Sequence, residues 1–198
     1  MAARIHHVAP EAVTSQMRRV AKTVNFGIIY GQSAFGLAQV LKIPRAEAEA
    51  FIHAYKVRFP RIEPFTEQCV QQAKDQGYVT TILGRRRQIP EIQSPHPALR
   101  NFGRRAAVNT VIQGSAADLI KQAMVNLHRR IGAEPSHIRM ILQVHDELLF
   151  ECRRQRVGAY TDLIRHEMVS ALPLAVPLKV DMGFGDNWLE AKEGTVKL

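Results

Sequence analysis

The stretch TSQMRRVAKTVNFGIIYG, residues 14–31, determines how the first half of the chain folds. A polar N-cap at Thr14 or Ser15 and a closing Gly31 predict a helix from about Met17 to Tyr30. At about 100° per residue, one side of this helix carries the aliphatic residues Met17, Ala21, Val24 and Ile28. The roughly opposite side, here named the cationic–aromatic face, carries Arg18, Lys22, Phe26 and Tyr30. The helix is therefore predicted to have two chemically distinct faces.

The cationic–aromatic face is suited to binding a nucleotide. Lysine and arginine donate charge-assisted hydrogen bonds to phosphate oxygens, and aromatic rings stack on bases of any identity. A helix buried on both sides would show the same pattern, with Phe26 and Tyr30 in a second core and the two cations in solvent. The pattern by itself leaves both interpretations open.

The rest of the first half is predicted to be mainly helical. Pro44 opens a second helix, Pro60 ends it and starts a third, and the third runs to Gly77. The segment around Gly36 is predicted to be a loop, and residues 1–14 show no clear periodicity.

The second half mixes helices with strands. Residues 97–132 predict the longest helix, because their apolar residues recur at helical spacing. Residues 139–144 and 148–152 predict two short strands, residues 156–172 a helix and residues 177–184 a last strand. Helices come first and strands later, which favours an α+β fold with a helical subdomain.

Composition and charge narrow the class of protein. The 198 residues are 46% hydrophobic and 23% charged, which argues against disorder, and the net charge of +9 favours an anionic partner, nucleic acid first. No run approaches the ~18 apolar residues of a membrane span, and no secretory signal opens the chain. Cys69 and Cys152 match no disulfide or metal-ligand spacing. We therefore expect a cytoplasmic protein that makes no membrane contact.

A row of hydrogen-bonding side chains lies along the longest predicted helix. The row, here named the polar strip, consists of Arg105, Asn109 and Gln113, which recur every fourth residue. Such donors suit the minor groove of a duplex, where every base pair presents acceptors. A solvated helix face is the alternative, and it would be favoured if the strip stood alone.

A cationic hairpin is predicted between residues 78 and 92. The strands YVTTIL and QIPEI flank a turn that contains Arg85, Arg86 and Arg87. An exposed cationic turn needs no function, so this cluster by itself indicates only a charged surface.

An acidic hairpin is predicted where QVHDELLFE, residues 143–151, places Asp146 and Glu147 between two apolar strands. Fixed carboxylates are ligands that Mg²⁺ prefers. Phosphoryl transfer by two metal ions needs carboxylates from more than one segment, since the ions lie roughly 3.5–4 Å apart. On its own, a solvated acidic turn is the favoured interpretation.

Three of these segments together resemble family A DNA polymerases of the bacterial DNA polymerase I type. Residues 18–31 carry Arg-x3-Lys-x3-Phe-x3-Tyr-Gly, residues 104–124 read RRAAVNTVIQGSAADLIKQAM, and residues 144–147 read Val-His-Asp-Glu. The motifs follow the family's order and spacing, and the resemblance covers the chain from about Thr14 to Trp188.

The resemblance implies a nucleotide site on the first of these helices. Arg18 and Lys22 would face the triphosphate of an incoming dNTP, Phe26 would lie against its sugar and base, and Tyr30 would lie beside the templating position. In that family the helix belongs to the fingers, whose closure precedes chemistry.

The resemblance also implies contacts with DNA and metal. The polar strip, Arg105, Asn109 and Gln113, would contact the primer terminus and template, and Arg85, Arg86 and Arg87 would contact DNA phosphates. Asp146 would be a metal ligand, with His145 and Glu147 supporting the primer end. The implied catalytic residues are Asp146, Lys22, Arg18, Glu147 and His145, and the complete enzyme would use two Mg²⁺ ions.

The implied fold is α+β, with a helical fingers subdomain followed by a long helix and a partial antiparallel palm sheet. Residues 1–97 would form the fingers-like region with the cationic hairpin, and residues 98–198 the partial palm. The implied activity is DNA-templated transfer of a dNTP to a primer 3′ hydroxyl in replication and repair. The expected partners are primer–template DNA and dNTP, and we expect a monomer.

One departure from the family pattern is visible. The family carries a second metal-binding Asp in an Asp-Tyr-Ser type strand motif upstream of the nucleotide helix, but Glu11 is the only acid here before Glu47. We therefore expect a C-terminal fragment that is inactive alone, with part of the apolar surface of the acidic hairpin uncovered.

Two alternatives remain at this stage. The first is a non-catalytic module that binds nucleic acid or nucleotide. The second is a single-subunit RNA polymerase of the phage type, against which Phe26 and Glu147 argue.

Overall fold

The computed structural model describes residues 2–5, 8–132 and 136–194, except for the side chain of Arg4. The helices in this part of the chain are α1 (Ala2–Ile5), α2 (Ser15–Ile29), α3 (Ala34–Leu41), α4 (Arg45–Arg58), α5 (Ile62–Gln76), α6 (Pro97–Ile131), α7 (Val157–Val169) and α8 (Trp188–Glu193). The strands are β1 (Tyr78–Thr80), β2 (Arg86–Gln88), β3 (Ile138–Val144) and β4 (Glu147–Cys152). The predicted α+β class is confirmed by this set of helices with two small antiparallel sheets.

The chain forms two compact units, which divide between Gly114 and Ser115. The division falls inside α6, so one continuous helix contributes residues to both units. The predicted boundary between fingers and palm at residue 97 is a different kind of division, and it stays a prediction.

In the first unit, α2 forms where its sequence signals predict it. Thr14 is the N-cap, and its Oγ1 accepts a hydrogen bond from the Met17 amide at 3.2 Å. The helix ends before Gly31, whose φ of +82° lies in the left-handed region that glycine adopts without steric cost. The predicted cap at Thr14 and stop at Gly31 are confirmed.

The predicted loop around Gly36 is wrong, because this segment lies in α3. Ser33 caps the helix by accepting a hydrogen bond from the Gly36 amide at 3.2 Å. Leu37 is fully buried with Val24 and Ala48 in a core that α2, α3 and α4 share. Tertiary burial of Leu37 therefore outweighs the low helix propensity of glycine.

Helices α4 and α5 match their predictions, with Pro44 before α4 and Gly77 after α5. A second core of the first unit joins α5, the hairpin and the first part of α6; its buried members are Cys69, Val70, Ala73, Val79, Ile89, Ile92, Ala106, Ala107 and Val108. Gly103 permits this packing, because a Cβ there would lie 2.7 Å from the Ile92 amide nitrogen.

The cationic hairpin forms, but its strands differ from the predicted ones. Tyr78 pairs with Gln88 in an antiparallel ladder, which places Arg86 and Arg87 on β2 rather than in the turn. The segment predicted to continue the second strand forms a 3-10 helix, Pro90–Gln93. Pro90 explains the early end of the strand, since proline has no amide hydrogen to donate to a ladder.

In the second unit, β3 and β4 form the acidic hairpin. Val144 pairs with Glu147, so the turn contains only His145 and Asp146, and Glu147 is the first residue of β4 rather than part of the tip. His145 has a φ of +53°, which a two-residue hairpin turn requires of its first central residue. The core of this unit contains the buried residues Leu127, Ile131, Ile138 and Ile164.

The predicted last strand over residues 177–184 is wrong. Only Met182 forms an isolated bridge, and the following segment leads into the short helix α8. Within the described ranges the second sheet contains β3 and β4 alone. A strand forms only where a neighbouring strand can pair with its amides and carbonyls. The alternation of apolar residues in this segment carries no information about whether such a neighbour is present.

One face of the acidic hairpin is left open to solvent. Ile141 is 58% exposed and Leu142 is 46% exposed, at the point where a register irregularity interrupts β3. The prediction that this hairpin lacks part of its usual cover is confirmed. Of the helices in the described part of the chain, none has both the length and the apolar character needed to cross a membrane.

Candidate functional site

Helix α2 has the two faces that its sequence predicts. Ala21 and Val24 are buried, whereas Arg18 and Lys22 are exposed. Phe26 is 50% exposed, so the interpretation that places it in a second core is wrong. Tyr30 is half-buried and packs against the core shared by α5 and α6. The Phe26 and Tyr30 rings are nearly parallel, at 9°, with their centroids 6.4 Å apart.

A hydrogen bond joins the cationic–aromatic face to the polar strip. The side-chain amide of Gln113 donates from Nε2 to the Tyr30 hydroxyl at 2.9 Å, across 83 positions of sequence. Asn109 and Arg105, about one and two helical turns before Gln113, are exposed on the same strip. The structure therefore brings together, within the first unit, two sets of residues that the sequence predicts separately.

A cavity of about 420 Å³ opens beside the C-terminal end of α2. Its lining includes the aromatic residues Tyr30, Tyr55 and Phe59 and the cations Lys56, Arg104 and Arg105. Lys56 is neutralised by Glu63, with 2.6 Å between Nζ and Oε1. Arg104 and Arg105 are exposed beside these aromatic walls, and together they make a surface suited to bases and phosphates.

Each arginine of the cationic hairpin has a partner inside the first unit. Arg85 donates from Nη2 to the Gly114 carbonyl at 3.0 Å, and Arg87 donates from Nη1 to the Thr110 hydroxyl at 2.9 Å. The Arg86 guanidinium lies 4.8 Å from the centroid of the Tyr78 ring. The contacts of Arg85 and Arg87 fasten the hairpin to α6, and that of Arg86 lies within the hairpin, so the cluster is more than a solvated cationic turn.

The acidic hairpin presents its carboxylates in different environments. His145 and Asp146 are exposed at the tip, and the Gln143 side chain donates to the His145 carbonyl at 2.6 Å. Glu147 is half-buried and forms an ion pair with Lys192 of α8, with 3.3 Å between Oε1 and Nζ. The Lys192 ammonium also lies 5.5 Å from the centroid of the Trp188 ring.

The carboxylates of this hairpin do not by themselves make a metal site. Across residues 2–5, 8–132 and 136–194, no three His, Cys, Asp or Glu side chains converge to hold an ion. Asp146 and Glu147 supply carboxylates from a single segment, whereas a two-metal centre takes them from several. A divalent ion at Asp146 would therefore need at least one further ligand.

A protein-family model matches most of the chain. The model described as DNA polymerase family A matches residues 1–190. The chain belongs to DNA polymerase family A.

Similar proteins of the family are DNA polymerases of bacteria. The chain is 49% identical to DNA polymerase I of Geobacillus stearothermophilus over 95% of its own length and 22% of that protein. It is 46% identical to the thermostable DNA polymerase I of Thermus aquaticus, over 94% of its own length and 22% of that protein. The chain thus spans about a fifth of the length of these curated relatives.

A solved structure shows the same fold. The POL domain of Pol1 from M. smegmatis, in complex with DNA primer–template and dNTP, superposes with a TM-score of 0.89 at 43% identity. The match covers 96% of this chain and 34% of that one.

Two further residues of this family A chain contact the predicted site and were missed from sequence. Tyr55 lines the cavity, and its hydroxyl donates to the Asn25 side chain at 2.7 Å. Lys192 pairs with Glu147. For Tyr55, the one sign in the sequence was its partner Asn25, a polar residue in a helix that is otherwise rich in apolar and cationic residues. For Lys192, no neighbouring residue indicated the contact with Glu147.

Proposed function

We propose that this chain supplies the nucleotide-binding and part of the DNA-binding surface of a DNA-templated DNA polymerase that acts in replication and repair. The observation that carries the proposal is the Gln113–Tyr30 hydrogen bond, which links the two helices whose motifs the family shares. The relative from M. smegmatis, which was solved with primer–template and dNTP, supports the same partners for this chain.

The cationic–aromatic face would bind the incoming dNTP. Arg18 and Lys22 are exposed and would donate charge-assisted hydrogen bonds to the triphosphate. They would also stabilise the negative charge that develops on the pyrophosphate as the primer 3′ hydroxyl attacks the α-phosphate. Phe26 would lie against the sugar and base, and the half-buried Tyr30 would lie beside the templating position.

The polar strip and the cationic hairpin would bind DNA. Arg105, Asn109 and Gln113 are exposed donors suited to minor-groove acceptors near the primer terminus. Arg87 donates to α6 from Nη1, and Arg85 donates to it from Nη2. A guanidinium has five N–H donors, so Arg86 and Arg87 would also donate to DNA phosphates, and the positive charge of Arg85 would attract them.

Asp146 is the residue that we propose as a metal ligand, with His145 and Glu147 supporting the primer end. Bound Mg²⁺ would polarise the reacting phosphate, which is the chemistry that divalent ions supply in such enzymes. The described residues do not complete this site, so catalysis requires carboxylates beyond the acidic hairpin. For this reason we propose that the 198-residue chain is inactive alone.

These roles suggest how the chain divides between two polymerase subdomains. We propose residues 1–97 as the fingers-like region and residues 98–198 as part of the palm. A monomer and a cytoplasmic location agree with a polymerase that works on bacterial DNA and dNTPs, and both are predictions.

Binding of a fluorescent dNTP analogue to the 198-residue chain tests the proposal. We expect saturable binding that Lys22→Ala weakens at least tenfold, because the variant loses a charge-assisted hydrogen bond to phosphate. The matched control is Lys74→Ala, which removes the same exposed charge from α5. Equal affinity in the wild-type chain and Lys22→Ala would contradict the proposed nucleotide face.

A second candidate is a module that binds primer–template or nucleotide without chemistry. The incomplete metal site in the described part of the chain is the observation that favours it. Primer extension by the 198-residue chain with Mg²⁺ separates the candidates, since any templated incorporation excludes a purely binding role. The RNA polymerase alternative finds no support, because the matching family is one of DNA polymerases.

A further inference from the structure

A buried tyrosine contacts the nucleotide helix from behind, and the proposed function makes no use of it. Tyr55 of α4 is only 6% exposed. Its hydroxyl donates to Asn25 Oδ1 of α2 at 2.7 Å, and its ring packs against Phe59 with centroids 4.9 Å apart. Burial raises the pKa of Tyr55, so the hydroxyl keeps the proton that it donates.

The position of Asn25 on α2 allows this hydrogen bond to oppose rotation of the helix. At about 100° per residue, Asn25 lies roughly 20° around the helix from Arg18 and roughly 60° from Lys22. It therefore lies at the border between the cationic–aromatic face and the buried side. A fixed contact at this border opposes rotation of α2 about its own axis.

Small rotations of α2 would displace the phosphate-binding groups. Side-chain tips lie about 5–6 Å from a helix axis, so a rotation of roughly 10° moves them by about 1 Å. Misplacement on that scale is enough to weaken a positioned interaction severely. The packed apolar contacts of Val24 and Leu37 also oppose rotation, and the hydrogen bond adds a directional constraint to them.

We propose that Tyr55 and Asn25 are positioning residues, whose shielded hydrogen bond fixes the rotation of α2 and so the aim of Arg18 and Lys22 at the triphosphate. The inference rests on the proposed function, because its consequence is nucleotide affinity. It differs from the Gln113–Tyr30 contact, in which the donor, Gln113, is exposed and the bond competes with water. The Tyr55–Asn25 contact is shielded and anchors the helix whether or not a nucleotide is bound.

The test compares Tyr55→Phe with Tyr78→Phe in the 198-residue chain. Both variants remove one phenolic hydroxyl, but Tyr78 lies on the cationic hairpin and makes its contact through the ring. We expect Tyr55→Phe to weaken binding of a fluorescent dNTP analogue about tenfold and to speed hydrogen exchange in α2. Tyr78→Phe should leave both unchanged.

A double variant separates positioning from stability. In Tyr55→Phe with Asn25→Leu, both partners are apolar, so no buried donor or acceptor is left unpaired and the midpoint of thermal unfolding should return toward the wild type. We expect nucleotide affinity to stay about tenfold low in this variant, because the directional contact is still absent. A purely structural role would restore affinity and stability together.

The outcomes separate the inference from the proposed function. If the wild-type chain binds the analogue and the folded double variant binds it equally well, the positioning role is overturned while the nucleotide site stands. If the wild-type chain and Lys22→Ala bind alike, the nucleotide site itself fails, and the positioning role fails with it. If Tyr55→Phe alone unfolds, the double variant decides by the same comparison.

Discussion

The nucleotide face of α2 and the acidic hairpin differ in how fully each is organised within its own unit. On α2, Tyr30 and Asn25 are held by partners from other helices, and a buried core lies behind the exposed cations. At the hairpin, Asp146 stands exposed at a turn, and one strand face is open to solvent.

The difference follows from what each kind of site requires. Binding of phosphate and base needs cations and rings on one helix edge, which a short stretch of sequence and a local core can provide. A two-metal centre needs carboxylates brought from several segments, which no single hairpin can provide. Under the proposed function, the first region is thus a preformed binding surface, and the second is one component of a larger site.

The strongest way to sharpen this comparison is to remove the carboxylate of Asp146. In a complete polymerase containing this chain, we expect Asp146→Ala to lower nucleotide incorporation by about 10³-fold or more, because metal stabilisation of the transition state is worth several kcal/mol. Primer extension measures incorporation, and a filter-binding titration should show unchanged affinity for primer–template.

The matched control is Asp162→Ala, which removes an exposed carboxylate of α7. It should leave incorporation within twofold of the wild type. Near-normal turnover in Asp146→Ala would remove that residue from the metal site.

A cavity in the core behind α2 should have the next largest effect, which is on the free energy of unfolding. Leu37 is fully buried between α2, α3 and α4, so Leu37→Ala should lower the free energy of unfolding by about 2–5 kcal/mol. Denaturant unfolding followed by circular dichroism gives the value. Phe35→Ala, on the same helix but exposed, should change it by less than about 0.5 kcal/mol.

Removing one positive charge from the cationic–aromatic face should lower the catalytic efficiency of a complete polymerase by an intermediate amount. Lys22→Ala would remove the proposed phosphate contact, worth about 1.5–3 kcal/mol, which corresponds to a loss of roughly 10–100-fold in kcat/KM for dNTP. Single-nucleotide incorporation kinetics measure it. An unchanged kcat/KM would show that the exposed cations of α2 do not reach the triphosphate.

The open face of the acidic hairpin should tolerate a charge. Because nearly half of Leu142 is exposed to solvent, Leu142→Lys should change the free energy of unfolding by less than about 0.5 kcal/mol while reducing binding of a hydrophobic dye. Ile138→Lys, on the same strand but buried, should unfold the hairpin. Strong destabilisation by Leu142→Lys would mean that this face is covered.

Local signals allowed part of the fold to be predicted. Thr14, Pro44 and Gly77 act through their own neighbours, so the helices that they bound were predicted correctly. The segment around Gly36 was missed because the buried contact of Leu37 is not visible in a local pattern. The last strand was wrongly predicted because pairing depends on a neighbouring strand.

The candidate site, too, could be predicted only as far as local sequence patterns reach. The cationic–aromatic face and the polar strip were each predicted from helical spacing, but the Tyr30–Gln113 contact spans 83 positions and no periodicity predicts it. Only the resemblance to a family placed both in one function. Tyr55 and Lys192 escaped notice because each acts through a partner distant in sequence.

The arginines of the cationic hairpin have a consequence for how DNA affinity depends on ionic strength. Arg85 and Arg87 already hold the hairpin to α6 through Gly114 and Thr110, respectively. Both partners are uncharged, so these bonds consume none of the positive charge, and each arginine that also contacts a phosphate would count fully toward counterion release. The slope of log affinity against log salt should therefore include these two cations, whereas high salt should release the DNA and leave the hairpin bound to α6, because salt screens charge pairs far more than bonds to uncharged groups.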